Sequence, residues 1–346
     1  NLSDATIDEG GTVKASATFT DQGTLDTHSA TINWDDGMGP QAVTIAQLAI
    51  GVNHVYGDNG IFTVVVTVTD DDGGSHSPSL NVTVGNIAPS ADIDETGFIL
   101  INGIPTLLAT AGEPVDFSGR STDPGSDDLD LSWDWDDGAP APDVTTAYLV
   151  NDSALDPLHS PSVQPRDETD STEHSFSDAC RYDVTLGSLD DDGGFASDSA
   201  VVIIIGNSDQ VRGTGYWSHQ YRGNGKVDFS DPELLCLLDI VNFVSSDFDE
   251  ETPPGTFEEA IDVLETKGNT PKAELLESQL LAALLNFANG SVGWDQLIDT
   301  DNDQQGDTSF SDVIANAESV LNNPASTNDE LLAQKDLLEK INLDEA

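Results

Sequence analysis

The first 206 residues consist of short runs in which apolar and polar residues alternate. The clearest run has Phe62, Val64, Val66 and Val68 at every second position. A period of two is typical of a strand with one face buried, and Gly, Asp and Asn bound these runs as turn residues do. Several such strands at short spacing predict a β-sandwich.

After residue 206 the pattern changes to that of helices. Asp231 as N-cap with Pro232 at the first helical position marks one helix start. Thr256 and Glu259 have the spacing of a capping box and mark a second. A third helix carries an apolar stripe until Gly290 stops it. Two further segments bring the prediction to about five helices in a compact domain.

The chain contains an internal repeat. Each copy has W-D-D-G, then H-x-Y or H-x-F, then a strand that ends in D-D-D-G-G. The segments 31–37, 54–56 and 62–74 recur as 131–138, 174–176 and 182–194. The second copy has gained 19 residues between its Trp and its His. This insertion lies within about 142–173, where Asp, Ser and Pro predict a surface loop.

These repeated motifs resemble the PKD domain, an immunoglobulin-like sandwich of secreted and surface proteins. The resemblance covers about residues 1–206. It implies that the aromatic and histidine side chains of the motifs have structural roles in the core. Those residues are Trp34, Trp135, His54 and His174.

We therefore expect a multidomain chain with two all-β immunoglobulin-like sandwiches followed by an all-α domain. The expected boundaries are 1–88 for the first sandwich, 89–206 for the second and 207–346 for the helical domain. The segment Asn86-Ile-Ala-Pro89 resembles the short linker between successive PKD domains. The helical part is similar to a C-terminal module that accompanies PKD repeats in large bacterial exoproteins and has no assigned activity. The abrupt start at Asn1 suggests a processed product or part of a longer protein.

The charge of the chain is strongly negative. Its 346 residues include 64 Asp and Glu against 11 Lys and Arg, for a formal net charge of −53. Binding to nucleic acid or to anionic lipid needs clusters of Lys and Arg, so both partners are excluded. The longest apolar run is far shorter than the ~18 residues that a membrane span needs. Bound divalent cations, high external salt or plain solvation would each relieve the repulsion among the acids.

The best-defined chemical motif is a loop at 301–312 that resembles the EF-hand and dockerin calcium loops. Oxygen side chains occupy loop positions 1, 3, 5, 9 and 12, and Gly306 stands at the turn position. The alternative is a solvated Asp-rich turn. The predicted Ca²⁺ ligands are Asp301, Asp303, Gln305, Asp307, Ser309 and Asp312.

Acidic turns in both repeats are further candidates for calcium. Adjacent carboxylates repel one another unless they are solvated or bound to a cation. The alternative at each turn is a plain acidic surface. We expect the first D-D-D turn to lie near the linker 86–89. The candidates are Asp35, Asp36, Asp136 and Asp137 in the W-D-D-G turns, and Asp70, Asp71, Asp72, Asp190, Asp191 and Asp192 in the D-D-D turns.

Motifs for catalysis are missing from the sequence. There is no H-E-x-x-H, no G-x-S-x-G and no P-loop, and the six His residues are scattered singly. We therefore predict that the chain is not an enzyme. A disulfide between Cys180 and Cys236 is left open by the sequence.

Two functions remain. The first is a secreted, calcium-stabilised structural or adhesive protein at the cell surface, which assembles with copies of itself or other surface proteins into a layer, sheath, fibre or matrix. The alternative is a non-catalytic accessory module of a larger secreted hydrolase, presenting aromatic residues or the insertion to a polysaccharide or a protein.

Overall fold

The computed structural model of the chain contains two β-sandwiches followed by a helical region. A β-rich first part followed by a helical last part agrees with the order of structural classes expected from the sequence. None of the helices within the described residues is long and apolar enough to cross a membrane. The residues that the structure describes are 1–3, 5–23, 25–149, 165–248, 254–301 and 303–345.

Sandwich 1 has a larger sheet in the order β1-β8-β6-β3-β4, with β7 paired to β6, and a smaller sheet of β2 and β5. The alternation predicted for β6 is visible in its burial, since Phe62 and Val64 are almost fully buried between the sheets. The elements are β1 (Thr6–Asp8), β2 (Thr12–Ala15), β3 (His28–Asn33), β4 (Gln41–Val43), α1 (Ile45–Ile50), β5 (Val52–Val55), β6 (Gly60–Asp70), β7 (Ser75–His76) and β8 (Ser79–Gly85).

Sandwich 2 packs a six-stranded sheet, in the order β10-β11-β17-β16-β13-β14, on a sheet of β15, β12 and β9. Its core contains Trp133, Trp135, Phe117 and Phe176. The strands are β9 (Asp92–Ile93), β10 (Ile99–Ile101), β11 (Ile104–Thr110), β12 (Val115–Asp123), β13 (Leu129–Asp134), β14 (Val144–Tyr148), β15 (Arg166–His174), β16 (Cys180–Asp190) and β17 (Phe195–Ile205).

The prediction of a surface loop at 142–173 is wrong at both ends of this segment. Both ends are strands, since β14 pairs with β13 and β15 pairs with β12. The strand β15 escaped the sequence pattern because its inward side chains are polar. Its central residue Asp170 is buried and accepts hydrogen bonds from Trp133 Nε1 at 2.7 Å and from the Tyr148 hydroxyl at 2.8 Å. The middle of the insertion, 150–164, lies outside the described residues.

The helical region is built around one helix, α5, whose residues from Leu280 to Ala288 are all buried. One helix of this region, α2, was not predicted, and neither was the short α1 of sandwich 1. The elements are α2 (Thr214–Arg222), α3 (Asp231–Val244), α4 (Phe257–Leu264), α5 (Lys272–Ala288), β18 (Leu297–Ile298), β19 (Thr308–Ser309), α6 (Phe310–Leu321) and α7 (Asn328–Asn342).

The observed helix starts show how well local sequence signals predict where a helix begins. Thr256 accepts a hydrogen bond from the Glu259 N–H and forms the expected capping box of α4. The α3 helix begins one residue earlier than predicted, because Ser230 rather than Asp231 is its N-cap and pairs reciprocally with Glu233.

Sandwich 2 and the helical region share one apolar core. Ile101 and Ile203 of the sandwich belong to the same buried cluster as the core residues of α3 and α5. A disulfide joins Cys180 at the start of β16 to Cys236 in α3, which settles the pairing that the sequence left open. The two units are therefore fixed to one another by packing and by a covalent bond.

Candidate metal centre

The motif Trp and His residues form matching stacks in the two sandwiches. Trp34 stacks on His54 with ring centroids 4.5 Å apart, and Trp135 stacks on His174 at 4.7 Å. In sandwich 1, Tyr56 then meets His54 edge-on and donates a hydrogen bond to the Trp34 carbonyl. These contacts give the four motif residues structural roles in the core.

The W-D-D-G carboxylates support the turn that carries them. The backbone of Asp35 is left-handed, and its side chain accepts a hydrogen bond from the Thr63 N–H on β6 at 2.9 Å. Asp36 accepts one from the Met38 N–H, and its other oxygen lies 3.2 Å from His54 Nε2. These carboxylates thus have protein partners, and calcium at this turn remains a prediction.

The second repeat uses its W-D-D-G turn in the same way. Asp136 is again left-handed and accepts a hydrogen bond from the Asp183 N–H. Asp137 accepts one from the Ala139 N–H and lies 3.2 Å from His174 Nε2. Calcium at Asp136 and Asp137 likewise remains a prediction.

The two D-D-D turns also match each other. The first Asp of each accepts a hydrogen bond from the Gly four residues later, at 2.7 Å for Asp70 and 2.6 Å for Asp190. The second Asp accepts from a neighbouring loop, Asp71 from the Thr27 N–H and Asp191 from the Asp128 N–H. The third members, Asp72 and Asp192, are exposed.

The expectation that Asp70–Asp72 lies near the linker is wrong. The linker follows Gly85, and Gly60 at the start of β6 pairs with the adjacent Val84. Asp70 stands at the other end of β6, ten residues or roughly 33 Å away at the rise of a strand. The D-D-D turn that meets the linker belongs to sandwich 2, where Asp190 accepts a hydrogen bond from Asn86 Nδ2 at 3.1 Å.

A cluster of buried acids that was not predicted lies at this junction. Glu9 follows β1 in sandwich 1, Asp123 ends β12 in sandwich 2, and Asp127 lies in the next turn. Their carboxylate oxygens lie within 4.8 Å of one another, and so do those of Asp127, Asp58 and Asp192. We call these five residues the junction cluster.

Burial perturbs the junction cluster strongly. It raises the pKa of Glu9 to about 7, outweighing the hydrogen bond from the Ile87 N–H, and the charges of Asp123 and Asp190 add to the increase. Burial also raises the pKa of Asp127 to about 9, and the charges of Glu9 and Asp123 make the largest further contributions. Both effects have one cause, which is that several carboxylates share a site shielded from water.

The C-terminal loop gathers three carboxylates, those of Asp299, Asp301 and Asp303, within 4.8 Å of one another. Asp301 accepts a hydrogen bond from the Asp303 N–H, and Asp303 accepts one from the Gln305 N–H. The other predicted ligands have different partners: Asp307 accepts from the Thr300 and Thr308 hydroxyls, and Ser309 caps α6 by accepting from the Asp312 N–H.

The turn in this loop falls two residues earlier than the sequence motif suggests. Gln304 has the left-handed backbone, at φ 72°, that an EF-hand loop places at its sixth position, and Gly306 does not. Counting back from Gln304 makes Asp299 the first position. No helix leads directly into the loop, since α5 ends at Ala288 and the strand β18 intervenes. Calcium at this loop remains a prediction.

Comparisons with known proteins support the β fold. Residues 2–84, which form sandwich 1, match the PKD domain family model, and PKD and immunoglobulin-like domains are typically non-catalytic. No curated protein matches the chain.

Among solved structures, the chain is similar to the PKD domain of an M14-like peptidase from Thermoplasmatales archaeon SCGC AB-540-F20. The identity is 14%, the match covers 35% of this chain and 98% of that one, and the TM-score is 0.24. Fibronectin(III)-like modules of Clostridium thermocellum CbhA are 13% identical over 58% of this chain and 89% of theirs, with a TM-score of 0.23. A 1.5-MDa bacterial ice-binding adhesin is 15% identical over 60% and 63%, with a TM-score of 0.23. Similarity at this level carries no functional argument.

One sequence signal pointed toward the junction cluster. The motif Phe19-Thr-Asp21-Gln-Gly23 recurs as Ser121-Thr-Asp123-Pro-Gly125, so the repeat marks Asp123 as a special turn residue. Its partner Glu9 comes from the other repeat and has no such signal.

Proposed function

We propose that this chain is a calcium-stabilised structural or adhesive protein of an extracellular surface. It assembles with copies of itself or with other surface proteins into a layer, sheath, fibre or matrix. The observation that carries this proposal is the continuous bracing of sandwich 2 against the helical region, by a shared core and the Cys180–Cys236 disulfide. A unit that bears load or builds a lattice needs fixed angles between its parts, and inter-domain motion is the default without such bracing.

The disulfide also supports the proposed location of the protein outside the cytoplasm. Disulfides form and persist in oxidising surroundings and are rare in reducing ones. Together with the PKD match over residues 2–84, the Cys180–Cys236 bond favours a site outside the cytoplasm. The net charge of −53 suits an environment that supplies cations.

Calcium has its best sequence-derived site in the C-terminal loop. Asp299, Asp301 and Asp303 present carboxylates to one point, and Ca²⁺ takes six to eight oxygen ligands of this kind. Bound calcium would hold together the three carboxylates of the loop between β18 and β19. The double variant D301N/D303N removes two of the charges while keeping side-chain size.

The test is the size of the assembly with and without calcium. Sedimentation velocity and negative-stain electron microscopy of the full chain should show ordered assemblies in millimolar calcium and smaller species in chelator. D301N/D303N should assemble less readily, whereas D329N on the exposed start of α7 serves as a surface-charge control and should assemble as wild type does. A chain that stays monomeric in calcium and binds a polysaccharide would contradict the structural role and support the accessory-module function.

A further inference from the structure

The junction cluster is built from both sandwiches. Glu9 comes from sandwich 1, whereas Asp123 and Asp127 come from sandwich 2, and they are only 2%, 2% and 4% exposed. The backbones meet at the same place, since the Ser126 N–H donates to the Gly57 carbonyl across the junction. The cluster therefore exists only while the two sandwiches are docked.

Each of the three buried acids keeps one oxygen without a protein partner. Glu9 Oε1 accepts from the Ile87 N–H and Asp123 Oδ1 accepts from the Gly125 N–H, but Glu9 Oε2, Asp123 Oδ2 and Asp127 Oδ2 have no hydrogen-bond partner. The half-buried Asn86 adds a side-chain oxygen that also lacks one, while its Nδ2 donates to Asp190. A buried carboxylate without compensation costs several kcal/mol, so these atoms point to a missing positive partner.

No basic side chain within the described residues fills this role. The charge of Arg166 reaches Asp123 and lowers its pKa, but no hydrogen bond joins the two side chains. Its guanidinium donates to Glu168 and to the Tyr148 carbonyl. Arg166 thus offsets only part of the repulsion at Asp123, and no basic group is hydrogen-bonded to the free oxygens of the three acids.

Two glycines allow the acidic loops to approach. A Cβ on Gly125 would lie 2.7 Å from Glu9 Oε2, and one on Gly10 would lie 2.9 Å from the Pro124 carbonyl oxygen. Gly10 also has a left-handed backbone, at φ 69°, which favours glycine. The close approach brings carboxylates together, although without a ligand between them it would be unfavourable.

We propose that a divalent cation of the calcium class binds at this junction, ligated by Glu9, Asp123 and Asp127, and fixes the orientation of the two sandwiches. All available ligand atoms are oxygens, which suits a hard cation, and Ca²⁺ accepts irregular sets of carboxylate and amide oxygens. Asp58 and Asp192 extend the negative charge toward the more exposed side, where water completes the coordination. The site is separate from the C-terminal loop and does not depend on the proposed self-assembly.

The first test counts bound calcium by isothermal titration calorimetry on the full chain. The background is D301N/D303N, so that the C-terminal loop contributes no binding. Adding E9Q and D127N should remove one equivalent of bound calcium. The matched control is D21N, because Asp21 occupies the repeat position of Asp123. It lies away from the junction, since it contacts His28, which pairs with Asp70 at the far end of β6. D21N should leave the count unchanged. Equal binding by E9Q/D127N and its parent would overturn the proposal.

The second test measures the junction itself in the wild-type chain, and it needs no variant to fold. Small-angle X-ray scattering should give a larger maximum dimension or a broader distance distribution in chelator than in calcium, because the buried carboxyl oxygens of the two sandwiches lose their shared ligand once the ion leaves. E9Q/D127N should lose this response to calcium. A scattering curve that is identical in calcium and in chelator would refute the proposal that a bound cation fixes the orientation of the two sandwiches. Loss of assembly with an intact scattering response would contradict only the proposed function.

Discussion

Removing the Cys180–Cys236 disulfide tests what holds the helical region on sandwich 2. The bond joins residues separated by 56 positions. In the chain-entropy description, closing a loop of this length stabilises the folded state by about 4 kcal/mol at 25 °C. We therefore expect C180S/C236S to lower the free energy of unfolding of the unit formed by sandwich 2 and the helices by about 4 kcal/mol.

The non-covalent contacts around the bond decide whether the variant still folds. Arg181 Nε lies 3.2 Å from Asp239 Oδ2, and its guanidinium sits 5.5 Å from the Phe243 ring centroid. The shared apolar core around Ile101 and Ile203 is also untouched. The variant should accordingly keep its native circular dichroism spectrum in buffer and differ only in its resistance to denaturant.

The assay is urea unfolding followed by the helical circular dichroism signal. Wild-type protein in reductant should unfold with the same midpoint as C180S/C236S in buffer. Sandwich 1 contains neither cysteine, so its own unfolding transition is an internal control and should not move. A loss below about 1 kcal/mol would refute the loop-closure argument, because that model assigns several kcal/mol to a loop of this size.

Three further predictions follow from the described contacts. W135A should destabilise sandwich 2 by about 3–5 kcal/mol in urea unfolding, because a fully buried ring that stacks on His174 is deleted; an effect below 1 kcal/mol would contradict its place in the core. Burial lowers the pKa of His54 despite the attraction of Asp36, so its neutral form is favoured in the folded state. The contribution of neutral His54 to folding stability is complete above the ordinary histidine pKa of about 6.5 and is lost as the pH falls below that value. If the melting temperature of H54Q depends on pH in the same way as that of wild type, this argument is refuted. Calcium should raise the melting temperature of wild type more than that of D301N/D303N, and equal shifts would exclude the C-terminal loop as a site.

Local sequence signals predicted strands and helices well where the pattern of apolar residues matches the pattern of buried residues. The alternation around Phe62 and Val64 identified β6, and the capping box at Thr256 identified α4, because each signal acts within a few residues of chain. The β15 strand escaped because Asp170 takes the buried place of an apolar residue and is satisfied by Trp133 Nε1.

The candidate sites were harder to predict because they depend on tertiary structure. Glu9 and Asp127 are far apart in the chain and meet only through the docking of two sandwiches, which no periodicity encodes. In the C-terminal loop, the left-handed turn falls on Gln304 although Gly306 is the better residue for it on local grounds. Assigning the register from Gly306 therefore missed Asp299.

The two junctions of the chain begin from the same position in the repeat. Gly10 and Gly112 donate equivalent hydrogen bonds, to the Tyr56 and Phe176 carbonyls, both at 2.8 Å. The residue before the first glycine is Glu9, whereas the residue before the second is Ala111. The repeat thus places a carboxyl group at the junction of the two sandwiches and a small neutral residue at the corresponding position of sandwich 2.

Different forces should therefore hold the two junctions. The Gly206 N–H donates to the Ala288 carbonyl at 2.8 Å, and the disulfide and shared core complete a joint that needs no ion. The joint at Glu9 instead concentrates carboxylates and depends on what neutralises them. Chelator should consequently loosen the first junction and reductant should weaken the second. Because the two sites share no partners, their effects on unfolding should add within about 0.5 kcal/mol, and a strong coupling would show that the junctions are not independent.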